Sequence, residues 1–153
     1  MHMKTKLYLF CIALLAPLIA YGGCRIERKT MPCKLLKTIS EREYSICLPA
    51  SYSETDNRTY PVLYLLHGGG THHTEWEENG RLQTVVDSLV AQGCMEEMII
   101  ICPEANKNNM IWFNAPHWKY EDYFFQELMP YMEQHYKIKA EKRYRGVAGF
   151  SMG

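Results

Sequence analysis

Two short segments of the chain are apolar at every position: Val62-Leu-Tyr-Leu-Leu66 after Pro61, and Met98-Ile-Ile-Ile-Cys102 before Pro103. A strand that is apolar on both faces must be covered on both faces, which places it inside a sheet sandwiched by helices. Between the two runs, Leu82, Val85, Val86 and Leu89 fall at helical spacing over Arg81 to Ala91, and Gly93 can end the helix. A second helical pattern, Tyr123, Phe124, Leu128, Tyr131 and Met132, runs from Tyr120 to Tyr136, with Pro130 expected to kink or split it. Tyr144-Arg-Gly-Val-Ala148 gives a third strand. This alternation predicts an α/β fold with parallel strands and crossover helices. Ahead of it, Lys34–Ile39 and Glu43–Leu48 read as an antiparallel N-terminal hairpin, and Pro49 to Thr59 as a solvated loop.

Composition narrows the class of function. The 17 basic residues balance 17 acidic ones and are scattered singly, so the clustered basic face of a nucleic-acid binder is absent. With 47% hydrophobic residues the chain can build a core and is not a disordered segment. Its start has the form of a secretory signal: Lys4 and Lys6 precede an apolar run of 14 residues, Leu7 to Ala20, too short for a membrane span. Residues 1–23 are therefore expected to direct export, and 24–153 to form the mature domain. Cleavage after Gly22 is one route. Gly22-Gly23-Cys24 also resembles a bacterial lipoprotein box, in which Cys24 would carry a lipid anchor. An oxidising compartment permits disulfides among Cys33, Cys47, Cys94 and Cys102, while Cys47 and Cys102 lie in apolar runs and read as small buried hydrophobes.

In parallel sheets chemistry collects at the carboxyl ends of the strands, where the loops starting at His67, Glu104 and Gly149 lie. Gly149-Phe150-Ser151-Met152-Gly153 matches the G-x-S-x-G nucleophile elbow. A tight strand-to-helix turn projects the Ser151 hydroxyl, and Gly149 and Gly153 avoid clashes with adjacent backbone. His67-Gly68-Gly69-Gly70 follows the first apolar strand, where glycines let backbone N–H groups turn inward as an oxyanion hole. Either motif alone could be a glycine turn. Both, in the right order on one α/β pattern, point to acyl chemistry.

Tyr60 to Gly70, Phe124 to Tyr131 and Arg145 to Gly153 together resemble the esterase D group of α/β-hydrolases, which includes feruloyl and acetyl-xylan esterases, siderophore esterases, S-formylglutathione hydrolases and mycolyltransferases. The likeness begins near Lys34. It implies the N-terminal half of an α/β-hydrolase fold, ending at the nucleophile elbow. It also implies Ser151 as nucleophile, backbone N–H groups of Gly69 and Met152 as the oxyanion hole, and His67 as a structural residue of the glycine loop. The family's acid and histidine come after the serine, and only Met152 and Gly153 follow Ser151 in this sequence. The 153-residue chain is accordingly expected to be inactive and to fold poorly alone.

His67, His72 and His73 have no carboxylate at a metallohydrolase spacing, so no metal is expected, and no cofactor. Trp76, Trp112 and Asn114, with Phe113 and Trp118, could contact a sugar or feruloyl ring or could pack the loops. The expected substrate is an ester of a small molecule or oligosaccharide, in particular acylated plant polysaccharide. Two other readings stay open: a non-catalytic exported binding protein on the same fold, and an acyltransferase. Oligomeric state is not legible.

Overall fold

The structure is a computed structural model that describes residues 22–37, 39–105 and 111–153. The apolar run Leu7 to Ala20, expected to direct export, lies outside them. In chain order the elements are β1 (Arg25–Pro32), β2 (Glu41–Leu48), β3 (Val62–Leu66), α1 (Glu75–Glu78), α2 (Leu82–Ala91), β4 (Ile99–Pro103), β5 (Asn114–Ala115), β6 (Trp118–Lys119) and α3 (Tyr120–Tyr123). A π-helical turn, Phe124–Leu128, leads into α4 (Met129–His135), and a 3₁₀ turn, Lys142–Tyr144, into β7 (Arg145–Gly149). The main sheet has the order β1-β2-β4-β3-β7. β1, β2 and β4 pair antiparallel in succession, whereas β3 is parallel to both β4 and β7. The loops after β3, β4 and β7 therefore share one edge of the sheet.

Alternation along the two apolar strands explains their composition. Ile99 and Ile101 of β4, with Val62 and Tyr64 of β3, face α3, α4 and the π turn, where Tyr120, Tyr123, Phe124, Leu128 and Met132 complete the larger core. Ile100 and Cys102, with Leu65, face the other side and pack with Leu82 and Val86 of α2. Each strand thus serves two layers, which leaves no position for a polar side chain. Pro130 stands in the first turn of α4, directly after the wider π turn that joins α4 to α3. Of the two outcomes expected at Pro130, the split is not seen: the backbone stays helical from Tyr120 to His135, passing through the π turn.

Two expectations are corrected. The first strand of the hairpin is Arg25–Pro32, in register with Glu41–Leu48 from Arg25 opposite Leu48 to Pro32 opposite Glu41. Lys34–Ile39 is instead part of the connection between the strands, closed by Cys33 N–H to Ser40 carbonyl at 2.9 Å and pinned by the buried Leu36. β1 escapes a periodicity search because it is a sheet edge defended by charge: Arg25 and Lys29 both pair with Glu27, and Arg28 reaches Glu77 and Glu78. The apolar stripe of α2 is also narrower than its sequence. Leu82 and Val86 are buried, but Val85 is 48% and Leu89 36% exposed, because the helix meets the sheet along one line of residues four apart.

Ile101 is fully buried in the larger core. Ile101→Ala is expected to lower unfolding free energy by about 2–5 kcal/mol, read from the urea midpoint, while Val85→Ala stays within about 0.5 kcal/mol. Equal effects would contradict the assigned layers.

Candidate active site

His67 is completely buried at the end of β3, and both ring nitrogens are committed. The Ala105 N–H donates to Nε2 at 3.2 Å, so Nε2 accepts and the proton sits on Nδ1, which donates to the Gly68 carbonyl at 2.8 Å. The Thr71 hydroxyl donates to the same carbonyl at 3.0 Å. His67 therefore shapes the glycine loop and ties it to the end of β4. Burial holds its pKa below the ordinary imidazole value, partly opposed by Glu104.

The elbow lies beside this loop. Leu66 stands opposite Gly149 in the β3–β7 register. Phe150 to Gly153 form a tight turn closed by Gly153 N–H to the Phe150 carbonyl at 2.9 Å. Ser151, at its centre, has φ of 56° and is exposed. That left-handed backbone is strained for a side-chain-bearing residue and throws the hydroxyl outward. The turn requires its glycines: a Cβ on Gly149 would lie 2.6 Å from the Gly153 carbonyl carbon, and one on Gly153 would lie 2.6 Å from the Leu66 carbonyl oxygen. Across the gap, the position a Cβ would take on Gly69 is 3.8 Å from Met152 Sδ. The two residues expected to supply oxyanion-hole N–H groups are thus neighbours. Gly68 lies under the Phe150 ring, and Gly70 adopts φ of 78°, a conformation suited to glycine.

The aromatic residues take different places around this edge. Trp76 donates its indole N–H to the Leu66 carbonyl at 3.2 Å and meets Phe150 edge-on. Trp112 is buried, donates to the His67 carbonyl at 3.2 Å, and packs against the His67 ring. Trp118 is buried under the Arg42 guanidinium. These three brace the loops. Asn114 exchanges hydrogen bonds with Asp122, its amide donating to the carboxylate at 2.9 Å and its oxygen accepting from the Asp122 N–H at 3.2 Å. Phe113 and Phe150 are the exposed rings of this group, at 64% and 44%.

Sequence reading missed the polar support beneath the loop. Glu104 is buried at the end of β4 and accepts the His73 N–H at 3.0 Å. Its carbonyl accepts from Arg42 Nε at 2.8 Å and from the Tyr120 hydroxyl at 2.9 Å. Glu43, His73 and Glu104 each bring one ligand-type atom to within 4.8 Å of one another, and Ser45 Oγ lies 2.8 Å from His73 Nδ1. The carboxylates missing from the local spacing around the histidines are supplied by β2 and β4, which only strand pairing could reveal. Burial also holds the His73 pKa low.

A mixed sheet that carries a strained serine turn beside a glycine loop is the α/β-hydrolase fold. The chain belongs to the Esterase family, whose model it matches over residues 37–153. It is similar to an endo-1,4-beta-xylanase/feruloyl esterase of Xylanibacter ruminicola, 31% identical over 117 residues that are 71% of this chain and 16% of that protein. A solved ferulic acid esterase superposes with a TM-score of 0.80 at 38% identity, covering 86% of this chain and 50% of the other. The ferulic acid esterase of Anaeromyces mucronatus in complex with ferulic acid gives a TM-score of 0.71 at 27% identity, covering 90% and 52%. The chain thus spans about half the length of these solved structures.

His67 and His73 are both held neutral by burial. The unfolded chain takes up protons at the ordinary histidine value of about 6.5, so stability is complete above that pH and is lost as pH falls toward the depressed folded values. Thermal midpoints are expected to decline from pH 7.5 to 5, and the His67→Asn/His73→Asn double variant to decline less. An unchanged slope in the double variant would contradict this assignment.

Proposed function

We propose that the protein is an exported serine esterase that hydrolyses carboxylic esters through an acyl-enzyme on Ser151. The observation that carries this reading is the strained, exposed Ser151 on a turn packed against the glycine loop. In the reaction, Ser151 Oγ attacks the ester carbonyl while a histidine accepts its proton. The carbonyl oxygen becomes an oxyanion that accepts hydrogen bonds from the Gly69 and Met152 N–H groups. Collapse expels the alcohol, which takes the proton, and water then releases the acid by the same steps in reverse.

His67 is not the base in this reading, because one ring nitrogen is used on the glycine loop and the other on the Ala105 N–H beyond β4. The family's chain order puts the acid and histidine after the serine, so they are expected beyond Gly153. Support for acylated plant polysaccharides as substrates comes from the names of the similar proteins, a xylanase/feruloyl esterase and ferulic acid esterases. Support for export comes from Lys4, Lys6 and the apolar run that follows. Among the described residues no helix is long and apolar enough to cross a membrane.

In the complete protein, Ser151→Ala is expected to reduce turnover of methyl ferulate and of p-nitrophenyl acetate by at least roughly 10⁴-fold with the fold intact by circular dichroism. Residues 1–153 alone are expected to turn over neither ester. Retained activity in the variant would overturn the nucleophile, and activity in the short chain would overturn the downstream base.

A further inference from the structure

Cys24 and Cys47 are held together more closely than their separation in sequence suggests. Ile26 stands opposite Cys47 in the β1–β2 register, so Cys24, two residues earlier, is the diagonal neighbour of Cys47 on the same face of the sheet. The two Sγ atoms are 3.0 Å apart, about 1 Å longer than a disulfide bond, and both residues are buried in the cluster under α2. Cys24 is also fixed from the other side. Its N–H donates to Asp87 Oδ1 at 2.7 Å, and its carbonyl accepts from the Gln83 side-chain amide. Helix α2 therefore clamps the chain just before β1, with the thiol turned inward onto Cys47.

We propose that Cys24 and Cys47 form a structural disulfide in the mature protein, and that Cys24 is consequently not a lipid anchor. One sulfur cannot carry both a diacylglyceryl thioether and a disulfide. Formation follows ordinary exchange: the Cys24 and Cys47 thiols lose two protons and two electrons, their sulfurs join, and a protein or small-molecule disulfide is reduced to two thiols. The neighbouring thiol, then burial, push the Cys24 pKa up, so the folded protein reacts slowly and the bond is expected to close while α2 is still docking. Once made, it staples the start of the charged edge strand β1 to β2. The proposal is independent of the esterase reading; in the cell it relies on export to an oxidising compartment.

The test is peptide mapping by mass spectrometry under non-reducing conditions. Complete protein is taken from the exported fraction of an expressing bacterium, and a second sample is unfolded, reduced, and refolded with oxidised glutathione. The expected result in both is one peptide pair joined through Cys24 and Cys47, lighter by two hydrogens than the reduced pair. Reduction should then lower the thermal midpoint by roughly 5 °C or more, with no such change in Cys47→Ala. Both thiols alkylated after glutathione, Cys47 joined to another cysteine, or a lipid on Cys24 would each overturn the proposal. If Cys47→Ala does not fold, the wild-type map decides alone. A free pair in the exported fraction with a linked pair after glutathione would overturn the disulfide as a feature of the exported protein while leaving the esterase reading intact.

Discussion

Everything at the reactive edge depends on how closely backbone can approach backbone at the end of β3. The Leu66 carbonyl oxygen lies 2.6 Å from where a Cβ on Gly153 would sit and 2.9 Å from one on Gly149. The same oxygen accepts the Trp76 indole N–H. Only chain without side chains can occupy that space, so the glycines are a steric requirement before they are a motif. From this contact follow the tight turn, the positive φ of Ser151, and the proximity of Met152 to Gly69. A serine on a looser turn would have a hydroxyl but no fixed relation to the glycine loop beside it.

The glycine loop needs its own support, and most of that support is polar and buried. His67 spends one nitrogen on the loop and the other on β4, while Glu104 fastens the His73 backbone from β4. Arg42 and Tyr120 converge on the Glu104 carbonyl from β2 and α3. Such groups are costly to bury unpaired, and once paired they admit few alternative arrangements. Rigidity of the loop is thus carried by β2, the end of β4 and α3.

Much of this was legible in the sequence because its signals are local. Fully apolar runs can only be interior strands, and G-x-S-x-G and HGGG report backbone geometry through residue type. What was not legible depends on strand pairing. β1 looks like a charged linker because an edge strand protects itself with Arg25, Glu27, Arg28 and Lys29. For Trp76 and Trp112 the sequence leaves ring contact and loop packing open, and it does not show that their N–H groups reach the carbonyls of Leu66 and His67. The gathering of Glu43, His73 and Glu104, and of Cys24 with Cys47, draws on different strands and has no spacing to betray it.

The central claim is that Ser151 is the residue that becomes acylated. It is tested most directly by treating the complete protein with a fluorophosphonate and locating the adduct by peptide mass spectrometry. A single stoichiometric label on Ser151, prevented by prior unfolding, is the expected result. A label on another residue, or none on a protein that still hydrolyses esters, would contradict it.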